Sequence, residues 1–275
     1  MISTAALATL LLMVVLGIRH GLDPEHIAIV NSVTLHAVET RRRWPAASGA
    51  WFALGHGLVI TIVAAGVVGM LDVLQLPRWV LMVSEWLPLA ILLVVAVVNL
   101  NELLHGRGDY QPVAVKQRLL PRGLGDSSSP LAVFCIGMLF APFVDPATQV
   151  AVWGYAVSVT GSVLWIIGLG LLLTLAMAVT CVLEARAVVY LMRGVDAERA
   201  ARRRRGVGWL IVVFSFAVVG YGLVAAIPAP AGAWWLRVLA GLAAGGALAV
   251  VCAGLLWVFI AAVRRTRAVG RDIAS

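Results

Sequence analysis

Five ionisable side chains fall within eight residues of this chain: Arg19, His20, Asp23, Glu25 and His26, in the run Gly17-Ile18-Arg19-His20-Gly21-Leu22-Asp23-Pro24-Glu25-His26-Ile27-Ala28. Leucine and valine runs precede it and Ile27-Ala28-Ile29-Val30 follows. Ionisable groups at membrane depth are costly, so they usually mark an ion path or a binding site. A structural ion pair of Arg19 with Asp23 or Glu25 is the plainer reading, but it leaves two histidines without a role. Neutral imidazoles with carboxylates make a nitrogen and oxygen donor set. Such a set suits nickel, cobalt or zinc, whereas magnesium or calcium would want oxygen alone. A third imidazole, His56, lies in Trp51-Phe52-Ala53-Leu54-Gly55-His56-Gly57-Leu58-Val59-Ile60. A single histidine in a packed helix is most often just hydrogen-bonded. Here glycine on either side lets a neighbouring helix come close, and a site shared with His20 and His26 is expected. His36 and His105 fall near polar ends and are expected to be solvated.

The local chain must position these groups. Proline at 24 has no backbone N–H and pushes Asp23 out of the helical region. Asp23 then reads as an N-cap, Pro24 as the first helical residue and Glu25 as a first-turn acid. The helix is expected to break at Leu22-Asp23 and restart at Pro24, and a broken helix at membrane depth lines a cavity or a substrate site. A helix N-terminus attracts anions, so a cation binds here only because Asp23 and Glu25 reverse the local field. Asn31, one to two turns beyond His26, could offer a carbonyl or hold a ligand from behind.

Sixty-two per cent hydrophobic residues and a mean hydropathy of +0.99 lie far outside the range of soluble domains. The chain reads as an all-α polytopic membrane protein forming one integral membrane domain over residues 1–275. Its apolar stretches are Thr4 to Leu22 with Pro24 to Val38, Ala47 to Leu71, Trp86 to Leu104, Leu131 to Val157, Ser162 to Leu183, Gly206 to Ile227, and Trp234 to Val263. That makes about seven transmembrane helices, the first broken at Asp23-Pro24. Whether residues 4–38 cross once or twice is left open. The first eighteen residues carry no Lys or Arg, unlike a secretory signal, and are expected to be retained. Cys135, Cys181 and Cys252 are far apart in apolar runs and read as small buried hydrophobes.

Charge gives the topology. The net charge is +8, and eighteen of the 21 Lys and Arg residues fall in four groups on one side of a seven-span chain. These are Arg41 to Arg43, residues 107–122, residues 186–205, and the C-terminal Arg264 to Arg271. By the positive-inside rule the C-terminus is cytoplasmic and the N-terminus outside, in a cytoplasmic membrane. The basic composition is thereby explained without nucleic acid, and the bilayer is the expected partner. Residues 105–129, rich in Gly, Pro and Ser, read as an irregular cytoplasmic loop, and 186–205 as a basic cytoplasmic loop whose Arg202 to Arg205 form a solvated, membrane-flanking face. Oligomeric state leaves no trace in the sequence.

The fourth stretch holds Ala141-Pro142-Phe143-Val144-Asp145-Pro146-Ala147-Thr148-Gln149-Val150, a second Asp-Pro pair in an apolar context. The first and fourth spans run in opposite directions, as an inverted repeat of three plus three spans with one extra helix would have them. Chance also supplies two such pairs. Asp145 and Thr148 are candidates for the facing half of a site.

The run Arg19-His20-Gly21-Leu22-Asp23-Pro24-Glu25-His26-Ile27-Ala28 resembles the Arg-His-Ala-x-Asp-Ala-Asp-His-Ile pattern of the nickel–cobalt transporter (NiCoT/NicO) family. Phe52-Ala53-Leu54-Gly55-His56-Gly57 is similar to that family's Phe-x-Leu-Gly-His-Ser segment, and Asp145-Pro146-Ala147-Thr148-Gln149 to its Asp-Thr-Ala-Thr-Glu segment. The resemblance covers roughly residues 10 to 185 and implies metal recognition by the His-x4-Asp-His core. Glu25 stands where that pattern has Asp, Gln149 where it has Glu, Asn31 where it often has Asp, and Cys181 where a later Asp would fall. The family's first span would precede residue 1, so a divergent or shorter branch is expected.

The function expected is transport of a divalent transition-metal cation, nickel or cobalt, as substrate and with no cofactor. His20, His26 and His56 would bind it as neutral imidazoles, Asp23 and Glu25 would supply charge, and Arg19, Asn31, Asp145, Thr148 and Gln149 would stand behind them or along the path. No G-x-x-x-x-G-K-[ST] segment occurs and Lys116 is the only lysine, so direct ATP hydrolysis is not expected. Efflux relatives tend to carry a histidine-rich cytoplasmic loop. This one has only His105, which favours uptake over efflux. A membrane-embedded zinc-type hydrolase is the competing class, but H-E-x-x-H is absent, and an enzyme is not expected. A metal-binding subunit without flux is the third reading.

Overall fold

The computed structural model describes residues 4–69, 78–106, 110, 129–141, 162–192 and 197–226, with short helical pieces between 238 and 254. Most of these residues are helical, and none of them lies in a strand. Seven helices are described: α1 (Thr4–Gly21), α2 (Pro24–Glu39), α3 (Ser48–Gly69), α4 (Arg78–His105), α5 (Pro130–Phe140), α6 (Val163–Met192) and α7 (Ala197–Ala226). Among the described residues three stretches are long and apolar enough to cross a membrane, Pro45–Gly66, Val163–Met192 and Glu198–Val224, or four with the bent pair α1–α2. The Asp145 segment and the seventh apolar stretch beyond 254 lie outside the described residues, so the inverted repeat has no structural counterpart to compare.

The break comes where the proline requires it. Asp23 is extended (φ −62°, ψ 141°) and Pro24 opens α2. The Leu22 amide closes α1 on the Ile18 and Arg19 carbonyls, and the Ile27 amide starts α2 on the Asp23 carbonyl. The two helices meet at a bend of 59°. Asp23 occupies the N-cap position without making a side-chain cap. Its carboxylate is turned elsewhere. Eleven of the sixteen residues of α2 are buried, so this short helix is a central strut, wrapped by α3, α4, α6 and α7.

Small residues set the helix spacing. α3 runs antiparallel to α6, with Gly49 against the Cys181 carbonyl, Gly57 against Thr174 and Thr61 against Gly170. α1 runs parallel to α6, with Gly17 on Leu173 and Gly21 on Thr180. α5 lies antiparallel to α3, Gly55 on the Phe134 carbonyl and Gly137 on the Phe52 carbonyl. A Cβ at 55 or 137 would overlap backbone. The glycines flanking His56 thus admit two different helices, α5 at Gly55 and α6 at Gly57, because a helix turns about 100° per residue. Apolar contacts of Ile29, Val30, Phe52, Val133, Ile136, Met177 and Ile211 fill the space between.

Residues 186–192 and 197–205 are helical and continue α6 and α7. The arginines are not merely solvated. Arg203 donates to the Leu191 carbonyl near the end of α6 and Arg205 to the Leu103 carbonyl near the end of α4, each at 2.6 Å. Arg204 pairs with Glu39 at the end of α2 (3.3 Å) and Arg202 with Glu198 (3.0 Å). Carbonyls left over at helix C-termini attract cations, so α7 ties three helix ends together. The expected irregular loop likewise has an anchor: Tyr110 is buried and donates to Asn99 Oδ1 at 2.6 Å.

The Arg204–Glu39 pair, with Glu39 half exposed, belongs to the class of bridges that contribute under about 1 kcal/mol. Glu39→Gln is therefore expected to shift the melting temperature of detergent-solubilised protein by no more than a degree or two. A larger shift would mean that the helix-end tie is cooperative.

Candidate metal centre

The break holds His20 at the last turn of α1 and His26 in the first turn of α2, while His56 approaches from the middle of α3. The structure brings these three rings together. Their donor nitrogens all lie within 4.8 Å of one another. His56 is the hub: its Nε2 is 3.1 Å from His20 Nε2 and 3.3 Å from His26 Nε2. His26 and His56 are buried, His20 partly so. Phe52, one turn before His56, stacks on its ring and meets His26 edge-on, and Phe140 of α5 closes the far side of Phe52. An aromatic wall thus excludes water from one side of the cluster.

Asp23 Oδ2 lies 3.0 Å from His20 Nδ1. That contact selects the tautomer: Nδ1 carries the proton and donates it to the carboxylate, which leaves the Nε2 lone pair facing the other rings. Each ring nitrogen holds either a proton or a lone pair, so one Nε2 cannot complement two neighbours equally well. A cation between them can. Two nitrogens in adjacent positions around a metal at about 2.0–2.1 Å lie roughly 3.0–3.4 Å apart, and both Nε2 separations at His56 fall in that range. The three imidazoles therefore form a group of nitrogens close enough together to offer donors to one cation.

The remaining expected residues divide. Asp23, 37 % exposed, stands at the rim and reaches the cluster through His20 rather than as a member of it. Glu25, half-buried in the first turn of α2, is outside the group of mutually close donors. Arg19 is exposed at the end of α1, and Asn31 is buried along α2. Asp145, Thr148 and Gln149 lie outside the described residues. One acid went unnoticed in the sequence: Glu184 on α6 is 5 % exposed. Its position just past Leu183, where the apolar stretch ends and Arg186 follows, disguises it as an interface residue.

Helices with membrane-crossing character, interrupted beside a buried imidazole cluster, define a polytopic membrane protein. The pattern of the NicO family, described as high-affinity nickel-transport protein, matches residues 6–179, and the chain belongs to that family. It is 38 % identical over 69 residues to the high-affinity nickel transport protein of Cupriavidus necator, covering 25 % of this chain and 19 % of that protein. It is 28 % identical over 162 residues to the nickel transporter NicT of Mycobacterium tuberculosis, covering 50 % of this chain and 43 % of the relative. With the hydrogenase nickel incorporation protein HupN of Bradyrhizobium diazoefficiens it shares 26 % over 174 residues, 55 % and 45 % of the two chains. The chain thus matches less than half the length of each of these relatives. No solved structure matches it.

Proposed function

We propose that this protein carries a divalent transition-metal cation, nickel foremost, across the cytoplasmic membrane and into the cell. The observation that carries the reading is the convergence of His20, His26 and His56 at the bend between α1 and α2. Family membership supports nickel as the ion, and a nitrogen-rich donor set is consistent with it. Cobalt is the nearest competitor by ligand chemistry. The cation enters at the rim near Asp23, exchanges water for the three imidazoles and leaves when the bent pair moves against α3 and α6. With the arginine-bearing ends of α6 and α7 in the cytoplasm, a membrane potential favours inward movement by about 2.3 kcal/mol per charge per 100 mV. Asp23 holds the His20 ring and offsets the arriving charge.

Purified protein in sealed vesicles is expected to take up radioactive nickel saturably, with cobalt competing better than zinc or manganese and an inside-negative potential raising the rate. Absence of flux alongside tight nickel binding would replace the transport reading with that of a metal-holding membrane subunit. Asp23→Asn keeps the shape of the rim but weakens the hold on the His20 tautomer. Loss of such a supporting carboxylate typically costs 10–100-fold in metal affinity, and nickel titration of the purified variant should show a fall of about that size. An unchanged affinity would mean that His20 needs no such support.

A further inference from the structure

Glu184 lies in α6, 5 % exposed, and neither carboxylate oxygen has a hydrogen-bond partner among the described residues. A buried carboxylate left in that state is costly unless a proton or a cation sits with it. Among the described residues Asp23, a second carboxylate, acts on it electrostatically and offers no compensating positive charge. Its position on α6 is informative. Gly21, next to His20, packs on Met177 and Thr180. Glu184 is one helical turn, about 6 Å of rise, beyond Thr180, on the way to the end of α6 where Arg203 holds the Leu191 carbonyl. Cys181, three residues earlier on the same face, is also buried and lies within the electrostatic reach of Glu184. The chain therefore places an unsatisfied acid, with a polarisable thiol near it, between the imidazole cluster and the arginine-lined end.

From this placement we infer that Glu184 is a second station for the same divalent cation, which passes from the three imidazoles to the Glu184 carboxylate on its way to the arginine-lined side. The inference rests on the transport reading above and deepens it. An imidazole cluster that binds nickel well would release it slowly, and an acid one turn beyond the break offers an oxygen ligand and opposite charge as the ion moves off. The station lowers the barrier to exit and contributes little to initial capture.

The test separates capture from passage. Glu184→Gln keeps the size and neutral hydrogen bonding of a protonated acid but cannot carry negative charge. Its expected behaviour is a fall of at least about 10-fold in the maximal rate of radioactive nickel uptake into vesicles. Nickel affinity at the imidazole cluster, titrated on the purified protein, should stay within about 3-fold of the unaltered protein. Glu184→Asp, which keeps the charge on a shorter arm, should recover a substantial part of the rate. The cobalt-bound absorption spectrum of each purified variant reports that the cluster is assembled. Glu184→Gln transporting at the normal rate would overturn the inference, and so would a loss of cluster affinity matching the loss of rate. If the unaltered protein itself binds nickel without moving it, the transport reading fails and the station fails with it. Normal flux with an indifferent Glu184→Gln removes the station alone.

Discussion

Replacing His56 by alanine is expected to lower nickel affinity by at least about 100-fold and to bring uptake to background. The estimate takes the 10–100-fold cost of losing a supporting residue as a lower bound for losing a direct ligand. His56 is the most exacting target because both short Nε2 separations meet at it. Its removal leaves His20 and His26 on the two arms of a bend with nothing from α3 to complete the set. The change also opens a space beside Phe52, so affinity must be read on protein that still elutes as a single species in detergent. His36→Ala and His105→Ala serve as controls, since His36 lies farther along α2 and His105 is exposed at the end of α4. Nickel titration showing the His56 variant binding like the controls would remove the metal centre as assigned.

Much of this was legible in the chain itself, for a physical reason. Asp23-Pro24 encodes a break that no packing can override, because the proline lacks a donor and constrains the residue before it. The break appears where expected, with Asp23 extended and Pro24 at the start of α2. The approach of His56 was legible through its flanking glycines. What was not legible is the use of side chains that depend on neighbours distant in sequence. Asp23 reads as a cap from local rules, yet its carboxylate goes to His20 because the ring is within reach across the bend. Arg202 to Arg205 read as a solvated run, since the carbonyl ends of α4 and α6 that Arg205 and Arg203 meet are far away along the chain. Glu184 sits beside an arginine-containing segment in sequence but inside the helix bundle in space. Periodicity announces which residues share a face; only the fold says what stands opposite.

The second large effect concerns the backbone contact that sets His56 in place. Gly137→Val is expected to lower the melting temperature sharply and to abolish nickel binding in whatever folded protein remains. A Cβ at 137 would run into the Phe52 carbonyl and crowd the His56 amide. Both are backbone atoms of α3, so no side chain can swing aside to make room. Inserting bulk into a packed core costs typically about 1–3 kcal/mol, and a clash with backbone belongs at or above the upper end because two helices must separate. Moving α3 away from α5 also withdraws Phe52, which stacks on His56. Binding therefore falls along with stability. Gly66, Gly168 and Gly220 give the contrast: each has open space around a built Cβ. Alanine there should be neutral or stabilising by up to about 1 kcal/mol, through the better helix propensity of alanine over glycine. Thermal unfolding in detergent, followed by intrinsic tryptophan fluorescence, distinguishes the two groups. A Gly137→Val protein that melts and binds nickel like the unaltered one would mean that the α3–α5 contact is not what holds the third imidazole against the other two.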